Sequence, residues 1–326
     1  MGKNGKCSGI RKDGDCNVNP ETHTIYLRSP AKVNLSLLVV GKRPDGYHEL
    51  LTEMIMIDLY DDIMMEKVKE PGIHLRISGR PIDGNPGDNL VVRALSGFIK
   101  TVHGKSSSAR ISGGFAVDLT KKIPIGAGLG GGSSNAATVL WGANWMMGCP
   151  LNQEEVLMLC QELGSDVPFF LGSPRAMGVG RGDRLVPLPP PAPGFIVLWN
   201  PEVHLSTSSV YQSLDPATFE IGSPFELTEN ERSTRINSLL KSGILVNSLE
   251  EPAVRLCPQV GEGLRFLEKI CPGNVRMTGS GPTIFARFDS RDEAQSVQKK
   301  IADRLGCWSG VFQILVTSPF PERGEK

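Results

Sequence analysis

The stretch Ile123-Pro124-Ile125-Gly126-Ala127-Gly128-Leu129-Gly130-Gly131-Gly132-Ser133-Ser134-Asn135-Ala136-Ala137 decides how this chain is read. Its glycines and paired serines run into an alanine-rich segment whose apolar residues Ala136, Val139, Leu140, Ala143 and Met147 follow helical spacing. Glycine lets backbone N–H groups converge on one point, and the start of a following helix adds positive potential there. A phosphate group suits such a cradle, so the stretch points to a nucleotide-using enzyme. Ser133 or Ser134 is placed to cap the helix.

Its surroundings exclude two common phosphate loops. Gly126 to Gly131 matches GxGxxG, but a dinucleotide fold needs an acidic residue about 20 positions on. Met146-Met147-Gly148-Cys149-Pro150 stands there instead. No Gly-Lys-Ser/Thr follows, so the Walker A pattern fails as well. A flexible Gly/Ser linker would not abut such well-capped helical patterns. A phosphate cradle of a third kind is left.

Bulk properties set the frame. A length of 326 residues suffices for two domains, and 35 basic against 35 acidic residues leave no global field for nucleic acid. No apolar run is long enough to span a membrane. The seven cysteines show no CxxC pairing, which argues against structural zinc and a disulfide framework. Cys160 reads as a small core residue. The first twenty residues lack a secretory apolar core, so a cytoplasmic location is expected.

Residues 1–23 read as a disordered tail, 24–190 as an N-terminal ATP-binding domain, and 191–326 as a C-terminal domain. The cluster Pro187-Leu188-Pro189-Pro190-Pro191-Ala192-Pro193-Gly194 marks the boundary, since it sustains neither helix nor ladder. Strands are predicted at 25–28, 33–40, 54–60, 63–68, 73–78, 195–199, 275–277, 283–288 and 310–317. Helices are predicted at 89–102, after the glycine stretch, at 152–163 with Asn152 and Glu155 as a capping pair, around 236–240, and at 260–270 and 291–305. The segment 29–32 reads as a break and 41–48 as a loop.

Pro124 through Ala137 resembles the second motif of the superfamily of galactokinase, homoserine kinase, mevalonate kinase and phosphomevalonate kinase. Ser29-Pro-Ala-Lys32-Val-Asn34-Leu, Arg43-Pro-Asp-Gly-Tyr47-His48-Glu-Leu and Gly164-Ser-Asp166-Val-Pro-Phe-Phe are similar, in order, to blocks of its 4-diphosphocytidyl-2-C-methyl-D-erythritol kinase family. Met277-Thr278-Gly279-Ser280-Gly281-Pro282-Thr283 matches the third superfamily motif. The resemblance implies a two-domain α+β GHMP-kinase-like fold, with a ribosomal protein S5 domain 2-like first half and a ferredoxin-like second half. It also implies ATP-dependent phosphorylation of the 2-hydroxyl of a cytidyl-linked methylerythritol, in the non-mevalonate route to isoprenoids.

Site residues carry over one by one. Asp166 becomes the catalytic base, and Lys32 the cation beside it; by spacing alone they read equally as a helix cap and a surface lysine. ATP would lie on Pro124, Gly126, Ala127, Gly128, Leu129, Gly130, Gly131, Gly132, Ser133 and Ser134, with Asn89 and Lys121 edging the adenine pocket. Asn34, Tyr47, His48, Thr207, Tyr211, Gly279 and Ser280 would hold the substrate. Tyr47 would stack on cytosine and His48 would bond its edge; without the resemblance the pair reads as a hairpin tip. The segment Glu202-Val-His-Leu-Ser206 departs from the family's pattern. Mg²⁺ is expected with ATP, held by no identifiable carboxylate, with Ser133 or Ser134 offering a hydroxyl. A small-molecule substrate, no nucleic-acid or membrane partner, and a monomer or weak homodimer complete the expectation. Another small-alcohol kinase of the superfamily, and a nucleotide-binding protein without turnover, are the competing readings.

Overall fold

In this computed structural model, residues 16–19, 24–81, 85–105, 111–215, 236, 238, 243 and 245–320 are described. The first sheet consists of β1 (Cys16–Asn19), β2 (Thr24–Lys42), β3 (His48–Val68), β4 (Gly72–Gly79), β5 (Gly114–Lys121), β6 (Arg175–Gly180) and β7 (Arg184–Pro187). Its order is β1-β2-β3-β5-β4, with β6 and β7 branching from β3. The branch exists because β3 is long: Asp62–Val68 pair with β5, whereas Leu50–Ile55 pair with β6. Helices α1 (Leu90–Lys105) and α2 (Gly131–Met146) pack on this sheet, α3 (Gln153–Leu163) packs on both helices, and the layer buries Phe98, Phe115, Leu140 and Phe169. At the start of α3, Asn152 accepts the N–H of Glu155 and the Glu155 carboxylate accepts that of Asn152, the reciprocal cap the spacing predicts.

The second sheet begins at Phe195, directly after the proline-rich stretch. Its elements are β8 (Phe195–Asn200), α4 (Thr207–Gln212), α5 (Glu250–Leu256), α6 (Pro258–Ile270), β9 (Val275–Met277), β10 (Ile284–Phe288), α7 (Arg291–Leu305) and β11 (Trp308–Gln313). The strand order β11-β8-β10-β9, all antiparallel, with helices after β8 and β10, is the ferredoxin-like plan. Between the two sheets lies a separate apolar cluster. Val33, Leu35, Ile55 and Ile57 meet Ile196, Leu198 and Phe285 there, together with Ile123, Ala127 and Leu129 of the glycine stretch. Backbone bonds also cross, from Leu37 N to Val246 O (2.8 Å) and from Leu315 N to Met56 O (3.0 Å).

Several local expectations change. The break at 29–32 is absent: Pro30 lies within β2, and a register shift between Pro30 and Ala31 absorbs its missing donor. The strands expected at 54–60 and 63–68 are one. Part of the expected tail is paired, since Cys16–Asn19 lies antiparallel to Thr24–Leu27 and adds a strand beside β2. β5, β6 and β7 are not anticipated by the sequence reading. The helix expected around 236–240 falls largely outside the described residues. Cys160 is fully buried, and burial pushes its thiol up to about 12, as suits a core residue.

Candidate active site

The glycine stretch enters α2 through left-handed residues at alternate positions, Gly126, Gly128 and Gly130, with φ of +63°, +75° and +69°. At two of them a side chain is also sterically barred. A Cβ on Gly128 would lie 2.4 Å from the carbonyl oxygen of Thr278, and one on Gly130 would lie 2.9 Å from both Lys32 Cγ and Phe170 Cζ. The intervening Ala127 and Leu129 point into the inter-sheet core, and Pro124 is buried beside them. These three therefore anchor the loop, and only their backbone can face a nucleotide.

Gly130 is the N-cap of α2, and no side chain caps the first turn. This corrects the expected serine cap. Ser133 lies inside the first turn, and Ser134 is fully buried with its hydroxyl accepting from Ser29 Oγ at 2.8 Å. The Ser134 hydroxyl thus faces Ser29 in the buried layer under the helix start. The uncapped N–H groups at the helix start keep the geometry an anion needs.

Beneath the loop is a buried polar cluster that the sequence reading missed. Asp61, fully buried on β3, accepts the backbone N–H of Lys122 (2.7 Å) and Ile123 (2.9 Å), where the loop begins. It also pairs with the ammonium of Lys121 and accepts from Asn135 Nδ2 (2.9 Å), where the loop has become helix. Asn135 reaches on to Ser29 Oγ on β2 (2.9 Å). One carboxylate thereby ties the two ends of the loop together. Burial pushes the Lys121 ammonium below the usual lysine range, and Asp61 opposes that shift. Lys121 accordingly stands under the loop, tied to Asp61. Asn89 caps α1 by accepting Val91 N–H at 2.9 Å. The only local signal for Asp61 is an acidic pair interrupting the apolar run of β3.

Lys32 and Asp166 come together from opposite ends of the domain. Lys32 is buried on β2, where its N–H donates to Leu129 O at 3.0 Å and joins the strand to the glycine loop. Its ammonium lies 3.5 Å from Asp166 Oδ2 and donates to Asn34 Oδ1 at 2.5 Å. Asn34, two residues along the strand, shares Lys32's face as expected. Asn34 is fixed in turn by Thr52 Oγ1 (2.7 Å) and by Thr278, whose hydroxyl accepts the Asn34 N–H at 2.9 Å. Asp166 sits in the turn after Gly164, and the short 3-10 helix Pro168–Leu171 has no side-chain cap, so Asp166 is not a capping residue. Val167, Phe169 and Phe170 are buried, yet the carboxylate itself is 38% exposed. Its apolar neighbours turn inward, while the Asp166 carboxylate reaches the surface beside Lys32.

The remaining substrate positions gather on the far side of Lys32. Arg43 N–H donates to Tyr47 O (2.8 Å), closing the β2–β3 hairpin with Tyr47 at its tip. His48 stacks on Tyr211 of α4 at 5.1 Å. Burial, then the charge of Lys42, holds the His48 imidazole below its ordinary value. Burial, then the charge of Asp166, pushes the Tyr211 phenol up. Thr207, at the start of α4, exchanges a 2.8 Å hydrogen bond with Ser280. The 278–281 turn is held from below by Asn247, which donates to Met277 O (2.6 Å) and Gly279 O (2.9 Å). Thr207, Tyr211, Gly279 and Ser280, all from the second half, thus meet Asn34, His48 and Gly128 from the first.

Residues 89–173 match the GHMP kinases N terminal domain, and residues 226–306 match the GHMP kinases C terminal family. A 4-diphosphocytidyl-2-C-methyl-D-erythritol kinase of Geobacter sp. (strain M21) is 36% identical, over 89% of this chain and 99% of its own length. A crystal structure of 4-(cytidine 5'-diphospho)-2C-methyl-D-erythritol kinase superposes with a TM-score of 0.71 at 32% identity, covering 89% of this chain and 98% of that one. A homoserine kinase from Cytophaga hutchinsonii shares the fold alone, with a TM-score of 0.66 at 17% identity over 93% and 98% of the two chains. With two α+β domains meeting at one glycine-lined cleft, the chain belongs to the 4-diphosphocytidyl-2-C-methyl-D-erythritol kinase family of the GHMP kinases.

Proposed function

We infer that the chain catalyses the reaction of its family, ATP-dependent phosphorylation of the 2-hydroxyl of 4-diphosphocytidyl-2-C-methyl-D-erythritol. The observation that carries this reading is the Lys32–Asp166 pair, 3.5 Å apart, beside a loop shaped for phosphate. Transfer of a phosphoryl group depends on positioning and charge neutralisation more than on covalent help from the protein. The substrate hydroxyl oxygen attacks the γ-phosphorus, the bond to the bridging β–γ oxygen breaks, and the hydroxyl proton passes to the Asp166 carboxylate. Lys32 stabilises the oxygen that is losing its proton. Asn34 fixes the direction of the ammonium through its 2.5 Å bond.

The residues present fit ATP. Gly126, Gly128 and Gly130 bring backbone close to the helix start, and the uncapped first turn of α2 supplies donors for the phosphates. Mg²⁺ would enter with the nucleotide, keeping water and phosphate oxygens as most of its ligands. No group of three ligating side chains occurs among the described residues, and Ser133 is the hydroxyl left to contribute. No described helix is long and apolar enough to cross a membrane.

Two measurements test the reading. Purified protein with ATP and Mg²⁺ should release ADP only when the cytidyl substrate is added; no substrate-dependent ADP, or equal turnover of mevalonate or homoserine, overturns it. Tyr47→Ala should weaken cytidyl substrate binding by about 1–3 kcal/mol, the scale of one lost base stack, with ATP affinity unchanged. Equal damage to both affinities would remove Tyr47 from the nucleobase site.

A further inference from the structure

Arg181 lies in the turn between β6 and β7, and its guanidinium carbon stands 3.8 Å from the centre of the Tyr47 ring. Tyr47 is 53% exposed, so with one face covered by the guanidinium the opposite face is the open one. Arg43 pairs with Asp45 and Glu49, and Arg184 lies 3.8 Å from Glu49. Arg181 pairs with no carboxylate among the described residues, and its buried Nε has no hydrogen-bond partner there. The charge of Arg181 is also felt at Asp45, whose carboxylate accepts the Tyr47 backbone N–H at 3.1 Å.

We propose that Arg181 is a specificity-determining positioning residue, which backs one face of Tyr47 so that the other is presented, already oriented, to the nucleobase. The proposal rests on the reading of Tyr47 as a base platform. A planar guanidinium suits the task because it stacks on aromatic rings and is weakly hydrated, whereas a lysine ammonium is a compact, strongly hydrated charge. An aromatic ring fixed in advance loses less freedom when the base lands on it. Nothing in the chemistry at Asp166 requires Arg181, so its contribution should fall on substrate recognition alone.

Steady-state kinetics of the wild type, Arg181→Ala, Arg181→Lys, Tyr47→Ala and the Tyr47→Ala/Arg181→Ala double variant test this. Arg181→Ala should raise KM for the cytidyl substrate roughly 3- to 30-fold, with kcat and KM for ATP unchanged. Arg181→Lys should recover little, because it restores charge without the planar stack. In the Tyr47→Ala background, removing Arg181 should have no further effect, since its target ring is gone. Full recovery by lysine, or losses that multiply in the double variant, would overturn the proposal in favour of a direct contact with the substrate's diphosphate. A joint fall in kcat, both affinities and melting temperature would show a merely structural role. If Tyr47→Ala raises KM and Arg181→Ala does not, the proposal alone fails. If Tyr47→Ala itself has no effect on KM, the platform reading fails first.

Discussion

Asp166→Asn should lower kcat with the cytidyl substrate by about 10²- to 10⁴-fold, the range of a lost general base. Asparagine keeps the size of aspartate and still offers an oxygen to the Lys32 ammonium, 3.5 Å away in the wild type. It cannot take the proton of the attacking hydroxyl. The side chain is 38% exposed and caps no helix, so the folded state should lose little and KM for ATP should hold. ADP release under saturating substrates reads the effect directly. Wild-type turnover in the variant would exclude Asp166 from proton transfer, whatever its position.

Asp61→Asn should produce the largest loss of stability among single conservative changes, about 3–5 kcal/mol, because it strands a buried ammonium. Both groups of this pair are nearly inaccessible to water. The amide can still accept the N–H groups of Lys122 and Ile123 through its oxygen, but it brings no charge to oppose the desolvation of Lys121. Denaturant unfolding would measure the loss, and adding Lys121→Met should recover part of it by removing the orphaned cation. A loss under about 1 kcal/mol would place the pair with weak surface bridges and refute its burial. Because Asp61 holds both ends of the phosphate loop, KM for ATP should rise in the variant more than KM for the cytidyl substrate.

What was legible in the sequence is what local chemistry writes. The glycine stretch, the Asn152–Glu155 cap and the order of motifs each need only neighbouring residues to be read. Asp61 and Lys121 meet only because β3 and β5 pair, a long-range register with no local mark beyond an acid in an apolar run. β6 was invisible for a related reason. Arg-Ala-Met-Gly-Val-Gly has neither clean alternation nor rich β-branching, and pairing with Leu50–Ile55 of β3 imposes its extension. Thr207 and Tyr211 follow the segment that departs from the family's pattern, yet packing of α4 brings them to Ser280 and His48. Arg181 carried no signal at all, since a turn arginine reveals its partner only when the β2–β3 hairpin is seen folded beside it.

The anchoring of Ala127 and Leu129 in the apolar layer between the sheets has a mechanical corollary. A wide hinge motion that parted the two halves would drag those side chains and Ile123 into water and would break the contact of Gly128 with the 278–281 turn. The seam is therefore a rivet and not an axle. Either half made alone would carry an apolar scar where the two sheets had met.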